Sequence, residues 1–472
     1  MVEKAKGSNR SIDQRLSDLI DENSRKELLI RALHGRSMVY NFVGKSKWAL
    51  EDIEKGIEIS KARNNKKTVA DCMLQLCIIY ASMSRYEEML RSAKSALLLY
   101  RKMRDKRGQA NSIKNIGSVY YYRGDYPRAL KYYNKSLGIC EKAGDLRGLA
   151  SNLFNIGGLH YYRSDYYRAL QYYNKALKID IEIVERFHQS SCLNDIGNVH
   201  YSLGRYGSDL RYYEKSLQIR EEIGERRGKS SSLNNIGNVH YSLGDYRPAF
   251  KCYHKFLRIS SELGDCWGQA TSLSNIGSVY YHLGCYRRAL KYYDKSIRIK
   301  KEINDQDGEA ESLRYIGDVY IELKDFRKAN GYLTRSEKKA KKIGRKEVLF
   351  GTAISFGRLF LEKRNVKKAK YYSELSKILS RELKSKSEMA QALLLRARVL
   401  KCARDFEKAI KVFRSLNQRY ELARAYYYYC TDFLIYQSDK KKAEKYLKKS
   451  RSIFARIRNK TYLKRINELY SA

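Results

Sequence analysis

The stretch Ser232–Tyr253, which reads SLNNIGNVHYSLGDYRPAFKCY, decides the fold. Its apolar residues recur at three- and four-residue spacing on both sides of the pair Gly244-Asp245, as they do on one face of a helix. Gly244 can adopt a positive φ and Asp245 can cap a following helix, so the pair predicts a tight turn. The stretch therefore predicts a helical hairpin.

This hairpin is repeated along the chain. The tripeptide Asn-Ile-Gly or a close relative recurs every 40 residues, and the register extends back to Ser37 and Cys77 and forward to Ala397 and, after a shorter step, Thr431. A fixed period of this length is typical of solenoid proteins. We therefore expect eleven hairpins between about residues 30 and 457. The glycines of the tripeptide are Gly117, Gly157, Gly197, Gly237, Gly277, Gly317 and Gly357.

The turn inside each hairpin has a signature of its own. Both prolines, Pro127 and Pro248, fall in the first turn of a second helix, where the missing N–H costs little. The turn glycines that can take a positive φ are Gly124, Gly204, Gly244 and Gly284. The aspartates placed to cap the second helix are Asp125, Asp165, Asp245, Asp325 and Asp405.

A small residue is required where the two helices of a hairpin approach most closely. Alanine meets this requirement in nine of the eleven repeats, at Ala49, Ala129, Ala169, Ala249, Ala289, Ala329, Ala369, Ala409 and Ala443. Asp209 occupies the position in another repeat. Because a buried, unpaired carboxylate is costly, we expect Asp209 to be hydrogen-bonded or turned toward solvent.

The repeat combines a Leu or Ile, a small residue and an aromatic residue on its first helix with an aromatic-Ala-aromatic-Ala pattern on its second. This pattern resembles tetratricopeptide repeats across almost the whole chain. The 40-residue length and phrases such as Gly244-Asp245-Tyr246 are similar to the long-repeat subtype of spindle-orientation adaptors, kinesin light chains and bacterial peptide sensors. The resemblance implies an all-α, right-handed superhelical solenoid with a concave groove lined by the first helices.

The chain is expected to form one continuous body, because no Pro-rich or Gly/Ser-rich linker interrupts it. A repeat cannot bury its apolar face alone, so both ends need polar caps. We expect an N-terminal capping helix in residues 1–29, eight 40-residue repeats in 30–349, three more divergent, basic repeats in 350–457, and a C-terminal capping helix in 458–472.

The composition favours acidic partners and a reducing compartment. Lys and Arg outnumber Asp and Glu by 95 to 52, which gives a net charge of +43 and a positive field that attracts acidic molecules. The nine cysteines form no C-x-x-C pair, so we expect reduced thiols. The N-terminus is polar, and no apolar run reaches the length of about 18 residues needed to span a bilayer. A cytoplasmic protein without membrane insertion is expected.

No motif of an enzyme is present. The sequence has no Gly-rich phosphate loop after a strand, no nucleophile elbow and no recurring carboxylate pair. His160, His200 and His240 stand where other repeats carry Tyr, and neighbouring helices pack about 8–10 Å apart, too far for three imidazoles to reach one ion. We expect no catalytic activity, no cofactor and no metal.

Polar and aromatic residues recur on the first helices of the middle repeats. An amide both donates to and accepts from a peptide bond, and Tyr offers apolar area at low entropy cost. In proteins of the long-repeat subtype, such an Asn ladder holds an extended ligand. Alternatively, these amides bond to neighbouring helices or water and reflect duplication alone. The predicted groove residues are Asn115, Asn155, Asp195, Asn235, Asn275, Asn194, Asn198, Asn234, Asn238, Tyr121, Tyr161, Tyr201, Tyr241 and Tyr281.

A separate basic surface is expected near the C-terminus. Its lysines are Lys338, Lys339, Lys341, Lys342, Lys441, Lys442, Lys445 and Lys448. The leading interpretation is a scaffold or adaptor that binds an extended, acidic peptide in the groove over roughly residues 110–320. The alternative is sequence-tolerant binding of RNA or DNA by a basic solenoid. RNA-reading helical repeats use a code of side chains for each base, which is not found here.

Overall fold

The structure of the protein, a computed structural model, describes residues 22–42, 46–437 and 439–471. The part of the predicted N-terminal cap before residue 22 lies outside the described residues. The described residues form α-helices, one 3-10 turn (Leu434–Gln437) and no strand. The helices are α1 Glu22–Phe42, α2 Ser46–Ala62, α3 Lys66–Ser82, α4 Tyr86–Lys102, α5 Lys106–Tyr122, α6 Tyr126–Ala143, α7 Leu146–Tyr162, α8 Tyr166–Glu182, α9 Arg186–Ser202, α10 Tyr206–Glu222, α11 Arg226–Leu243, α12 Tyr246–Glu262, α13 Cys266–His282, α14 Tyr286–Glu302, α15 Gln306–Glu322, α16 Phe326–Ile343, α17 Lys346–Glu362, α18 Val366–Leu383, α19 Lys386–Leu400, α20 Ala403–Ser415, α21 Arg419–Asp432, α22 Lys440–Arg456 and α23 Lys460–Ser471.

Odd-numbered helices up to α21 are the first helices of the hairpins, and the even-numbered helices are the second. The pairs from α1–α2 to α21–α22 confirm the predicted all-α repeat solenoid. The chain divides into two compact bodies: the N-terminal body, up to Val199, and the C-terminal body, from His200 onward. No helix in the described part of the chain is both long and apolar enough to cross a membrane.

The glycine of Asn-Ile-Gly lies against the ring of a tyrosine sixteen residues later. A Cβ added at Gly277 would stand 2.7 Å from the ring of Tyr293, and one added at Gly117 would stand 2.8 Å from the ring of Tyr133. Both distances are far below an ordinary contact. The glycine therefore recurs because any side chain would displace the residue that packs against it, which is a tyrosine here and a leucine at Gly317 and Gly357.

Alanine occupies the close-packed position for the same reason. All nine predicted alanines are buried: Ala49, Ala129, Ala169, Ala249, Ala289, Ala329, Ala369, Ala409 and Ala443. Asp209 is also fully buried. Its Oδ1 accepts a hydrogen bond from the Leu210 N–H at 2.7 Å, while Oδ2 has no hydrogen-bond partner among the described residues. Of the two expected alternatives, Asp209 is hydrogen-bonded and not turned toward solvent, and only one of its two carboxylate oxygens has a partner among the described residues.

The turn chemistry is confirmed in most repeats. Gly124, Gly204, Gly244 and Gly284 all have φ between +71° and +77°. The carboxylates of Asp125, Asp165 and Asp325 each accept the backbone N–H three residues later, which satisfies a donor that the first helical turn leaves open. Asp245 precedes α12, but its carboxylate makes no capping bond.

The predicted cap at Asp405 is wrong. The left-handed residue of this turn is Lys401, which comes three residues earlier than the 40-residue register predicts, so Cys402 caps α20. Asp405 instead lies inside the first turn, buried, where it accepts two hydrogen bonds of 2.7 Å from Arg396. The early turn shows where the chain leaves the 40-residue period.

The C-terminal body folds back on itself. Its largest apolar cluster includes Tyr246 and Ile276 from α12 and α13 together with Tyr420, Phe454 and Tyr462 from the last helices. Repeats that are distant in sequence thus share one core. Such packing buries apolar area that a simple stack of neighbours would leave exposed.

Candidate functional site

The predicted aromatic edge is built from tyrosine pairs across the turns. Each of its tyrosines contacts the tyrosine that opens the second helix five residues later, with ring centroids 5.4 to 6.2 Å apart. The five edge tyrosines are Tyr121, Tyr161, Tyr201, Tyr241 and Tyr281, and each is half-buried. Within each body, their position beside the turns places aromatic rings at one end of the first helices.

The N-terminal body contains a pocket of about 210 Å³ that brings together Asn155, Asp195, Asn198, Tyr121 and Tyr161. The Asp195 carboxylate accepts hydrogen bonds from Asn198 at 2.9 Å and from Asn194 at 3.3 Å. The carboxylate thereby fixes the Asn198 amide, which lines the pocket, and the Asn194 amide, which does not.

The floor of this pocket is aromatic. Tyr133 and Tyr173 line it, and the Tyr133 hydroxyl lies 3.1 Å from Ser118 Oγ. Burial raises the pKa of Tyr133 to about 12 and shifts the pKa of Tyr173 in the same direction. Both phenols are therefore neutral hydrogen-bonding groups at physiological pH.

Asn115 does not join this pocket. Its amide donates to the Asn111 carbonyl in the same helix at 2.9 Å. It lines a wider cavity of about 840 Å³ with Thr68, Lys114 and Glu27 near the start of the N-terminal body. The predicted ladder is therefore divided at its first member.

In the C-terminal body, the predicted amides bond to protein groups. Asn275 donates to the Asn234 side chain at 2.9 Å, which links α13 to α11. Asn238 accepts from the Tyr253 hydroxyl at 2.9 Å. Asn235 is half-buried on α11. Bonding to neighbouring helices, the alternative that the sequence left open, thus applies to Asn234, Asn238 and Asn275.

The C-terminal body contains a cavity of about 280 Å³ whose lining includes none of these amides. Tyr241 and Tyr281 of the predicted edge line it, together with three arginines from three different helices: Arg314 of α15, Arg358 of α17 and Arg424 of α21. We call it the Arg/Tyr cavity. Guanidinium forks and phenol hydroxyls match carboxylate or phosphate oxygens in geometry.

Acidic residues hold the arginines in place. Arg358 donates to Asp318 at 3.0 Å, to Glu322 at 2.6 Å and to the Tyr281 hydroxyl at 3.2 Å. Arg314 reaches the other oxygen of Asp318 at 3.1 Å. Burial alone would raise the pKa of Glu322, but the guanidiniums of Arg358 and Arg465 hold it below its usual value. Glu322 therefore stays ionised in this buried place.

Arg424 is the least satisfied of the three arginines. Its Nη1 pairs with Glu421 at 3.1 Å, but its buried Nε has no hydrogen-bond partner among the described residues. A buried donor without a partner costs about 1–3 kcal/mol. Arg424 lines the Arg/Tyr cavity and thus carries one donor that the described protein groups leave unpaired.

Helix α21 forms one wall of the cavity through Tyr420 and Arg424. The Tyr420 ring meets His282 edge-on with a centroid distance of 4.0 Å. Arg419, at the start of α21, pairs with Asp245 at 2.6 Å. Burial, with Arg424 and Arg358 nearby, lowers the pKa of His282 to about 3, so this imidazole is neutral.

The C-terminal helices also contact the turn glycines. A Cβ at Gly204 would lie 2.6 Å from Leu416, and one at Gly284 would lie 2.5 Å from the Thr461 hydroxyl. At these turns the glycine is needed for two reasons: it adopts a positive φ, and it leaves room for a side chain from the C-terminal helices. The tyrosine edge of the C-terminal body is therefore partly covered by residues from the end of the chain.

Sequence reasoning missed the charged members of the Arg/Tyr cavity. Asp318 occupies the position of Asn198 and Asn238 in its own repeat, and Arg358 occupies the same position one repeat later. Following the polar row past residue 281 in the same register would have found both. The register did not point to Arg424, because the later repeats no longer follow the 40-residue period.

The first half of the predicted basic surface lies on α16. Its lysines are Lys338, Lys339, Lys341 and Lys342. Lys339 pairs with Glu309 at 2.8 Å and Lys341 with Glu337 at 3.0 Å. Lys338 and Lys342 are exposed. Ion pairs therefore offset part of the charge that the sequence concentrates here.

The second half lies on α22. Its lysines are Lys441, Lys442, Lys445 and Lys448. Lys442 reaches Glu407 at 3.5 Å and Lys448 reaches Glu444 at 2.6 Å. Lys441 and Lys445 are exposed. The structure thus leaves an exposed pair of lysines on each of the two helices.

The predicted histidines pack among aromatic rings. His160 stacks on Tyr172 and His200 stacks on Tyr212, with centroids 5.4 and 5.3 Å apart. Burial lowers the pKa of His160, His200 and His240. Three neutral imidazoles, two of them stacked on tyrosine rings, agree with a packing role.

Comparison with known protein families gives the class of the protein. The tetratricopeptide repeat profile matches residues 69–142, 146–222, 193–262 and 268–342. These segments make up more than half of the chain, so the chain belongs to the tetratricopeptide repeat family. No curated protein sequence matches the chain significantly.

Solved structures share the fold. The apo form of RapI is 17% identical with a TM-score of 0.55, over 75% of this chain and 98% of that one. The apo quorum sensor NprR from B. thuringiensis is 14% identical with a TM-score of 0.53, over 74% and 98%. The Rap conjugation gene regulator of plasmid pLS20, in complex with the Phr* peptide, is 12% identical with a TM-score of 0.53, over 65% and 95%. At these identities the comparison concerns the fold alone.

Proposed function

We propose that the protein is a non-enzymatic interaction scaffold that binds an extended peptide with acidic groups. The observation that carries this proposal is the Arg/Tyr cavity, in which Arg314, Arg358 and Arg424 converge beside Tyr241 and Tyr281. Two of these arginines share Asp318 and the third has an unused buried donor. A peptide carboxylate is the ligand that this set of donors suits best.

The pocket of the N-terminal body supports the same proposal with different chemistry. Asn155 and Asn198 offer amide donors and acceptors beside Tyr121 and Tyr161. Such amides match the alternating N–H and C=O groups of an extended backbone. Each body would therefore offer a binding surface of its own, the pocket of the N-terminal body for peptide backbone and the Arg/Tyr cavity for acidic groups.

The structural relatives agree with peptide recognition. The plasmid pLS20 regulator, which shares the fold, was solved with its Phr* peptide. A partner for this chain would likewise be a peptide or a protein segment. The nine free cysteines also suit the reducing conditions of the cytoplasm, where we place the protein.

Binding of short fluorescent peptides rich in Asp and Glu tests the proposal. Asn155→Ala removes one amide from the N-terminal pocket, and Gln391→Trp fills the Arg/Tyr cavity without removing a charge. We expect Asn155→Ala to weaken binding about 5-fold, the value of one hydrogen bond, and Gln391→Trp to weaken it further. Fluorescence anisotropy measures both affinities.

The matched controls are Asn174→Ala and Gln218→Trp, which change exposed residues on second helices. Both controls should bind as the unaltered protein does, and circular dichroism should show the same helicity throughout. Equal affinity in all four variants would remove both surfaces from the proposal.

Nucleic acid remains the second candidate because of the net charge of +43 and the exposed lysines on α16 and α22. Binding through phosphates would fall steeply with salt, since each neutralised phosphate releases counterions. A labelled oligonucleotide titrated at low and at physiological salt tests this candidate directly.

A further inference from the structure

One repeat of the N-terminal body carries three chemically reactive side chains at a single place. Asp180 lies near the end of α8, and His188 and Cys192 lie one turn apart on α9. Asp180 Oδ2 is 2.5 Å from His188 Nδ1 and 3.4 Å from Cys192 Sγ, and the sulfur is 3.9 Å from the same nitrogen. Asp180 and Cys192 are buried, while His188 keeps about a fifth of its side chain exposed, 21%.

Two of these residues, His188 and Cys192, depart from the repeat together. The position of His188 is glycine in five other repeats: Gly108, Gly148, Gly228, Gly268 and Gly308. The position of Cys192 is a small polar residue in the same repeats: Ser112, Asn152, Ser232, Ser272 and Ser312. The position of Asp180 varies from repeat to repeat, so the changes at His188 and Cys192 are the two that bring new metal-binding atoms against this carboxylate.

Another repeat shows what this place accommodates. Lys300 occupies the position of Asp180, and its Nζ lies 3.1 Å from the Gly308 carbonyl and 3.1 Å from Ser312 Oγ. The repeat geometry therefore forms a small polar pocket that holds a cationic group between the two helices. In the repeat of Asp180 that lysine is absent, and three potential metal ligands surround the same place.

A buried acceptor is left unused there. Asp180 Oδ1 has no hydrogen-bond partner among the described residues, although only 1% of the residue is exposed. Burying an unpaired carboxylate oxygen is unfavourable. A cation at this position would compensate it.

We propose that Asp180, His188 and Cys192 bind one transition-metal ion of the Zn²⁺ class. A carboxylate, an imidazole and a thiolate form a donor set that Zn²⁺ accepts. Bonds of about 2.0–2.3 Å in a tetrahedron separate ligand atoms by about 3.3–3.8 Å. The sulfur–oxygen distance of 3.4 Å lies within this range and the sulfur–nitrogen distance of 3.9 Å lies just above it. The Asp180–His188 hydrogen bond opens by about 1 Å to admit the ion.

Coordination changes the protons at the site in a defined way. The Cys192 thiol loses its proton to solvent and binds as a thiolate. The proton between His188 Nδ1 and Asp180 is also lost to solvent, and His188 binds through Nδ1 as the neutral imidazole that carries its proton on Nε2. Solvent supplies the fourth ligand from the side on which His188 is exposed. The ion would connect α8 to α9 and stabilise the packing between them.

Cobalt(II), a spectroscopic substitute for zinc, tests the site in the full chain purified without metal under reducing conditions. We expect one equivalent of Co²⁺ to give a thiolate-to-metal charge-transfer absorption and the visible bands of tetrahedral Co²⁺, and Zn²⁺ to abolish both. Absence of the charge-transfer absorption in the unaltered protein would overturn the proposal.

Variants that carry the residues of other repeats distinguish loss of metal binding from loss of folding. Cys192→Ser and His188→Gly introduce the side chains found at these positions in well-packed repeats, so both should stay helical and lose the absorption. The matched control is Cys140→Ser, which replaces a buried cysteine of the preceding repeat. Serine already occupies this position in two other repeats, as Ser260 and Ser380. A spectrum that survives Cys192→Ser but not Cys140→Ser would assign the metal to another thiol and refute the site.

Discussion

Asn459 joins the last helix of the chain to the end of α13. Its side-chain amide donates to the His282 carbonyl at 2.6 Å, and its Oδ1 accepts the Tyr462 N–H at 2.8 Å. The residue is fully buried. One amide thus caps the start of α23 and satisfies a carbonyl that the end of α13 leaves open.

Replacing this amide should loosen the C-terminal helices. We expect Asn459→Ala to reduce stability by about 1–3 kcal/mol, because it removes a helix cap and leaves a buried carbonyl unpaired. Hydrogen exchange should rise mainly in α23 and at the end of α13. Asn330→Ala, on the exposed face of α16, is the control and should leave exchange unchanged. Equal exchange in the two variants would contradict the role of Asn459.

The glycine of the repeated tripeptide gives a second prediction. In Gly277→Ala the new methyl group would meet the Tyr293 ring at 2.7 Å, and overpacking of a well-filled core costs about 1–3 kcal/mol. Gly331→Ala is the matched control, since no atom lies within 4 Å of its added Cβ. The control should be more stable by about 0.5–1 kcal/mol, because alanine loses less backbone entropy than glycine on folding. Thermal melting that falls for both substitutions, or for neither, would be evidence against the close approach.

The repeat architecture could be predicted from the sequence because each repeat is governed by local rules. The glycine against Tyr293, the alanine at Ala289 and the cap at Asp325 act within one hairpin or between neighbours. The 40-residue period therefore predicts the helices and also the contacts within each hairpin and between neighbouring hairpins. The prediction failed at Asp405, where the turn came three residues early and the periodic register no longer held.

The Arg/Tyr cavity could be predicted only in part. Tyr241 and Tyr281 followed from the register, but Arg424 reaches the cavity from a helix more than 100 residues later in the sequence. Periodicity describes contacts between neighbouring repeats and carries no information on which distant repeat folds back. The contacts of Leu416 with Gly204 and of Thr461 with Gly284 are of the same long-range kind.

Asp209 should make stability depend on pH. Burial raises its pKa from 3.8 to about 7, so the folded state holds this proton more tightly than the unfolded state. The resulting stabilisation is complete below pH 3.8 and is lost as the pH rises to about 7. Asp209→Ala should therefore raise the melting temperature, and by more at pH 8 than at pH 5.

The converse substitution provides the control for this prediction. Ala289→Asp places a carboxylate at the same close-packed position of another repeat, where the alanine is fully buried. It should lower the melting temperature, with a larger effect at pH 8 than at pH 5. A melting temperature of Asp209→Ala that rises equally at both pH values would show that ionisation of this carboxylate is not the cause.

Charge reversal at the exposed lysines of α22 distinguishes peptide binding from nucleic-acid binding. Lys441→Glu with Lys445→Glu reverses two charges on α22 while leaving the Arg/Tyr cavity intact. Exposed charges more than a Debye length of about 8 Å from a ligand are largely screened at physiological salt. If the scaffold proposal is right, acidic peptides should bind the double variant within about 2-fold of the unaltered protein. Any oligonucleotide binding should weaken and lose part of its dependence on salt, because fewer phosphates are neutralised.

Fluorescence anisotropy with both ligands at two salt concentrations measures each effect. A large loss of peptide affinity together with oligonucleotide affinity would instead place the acidic ligand on the basic surface of α22.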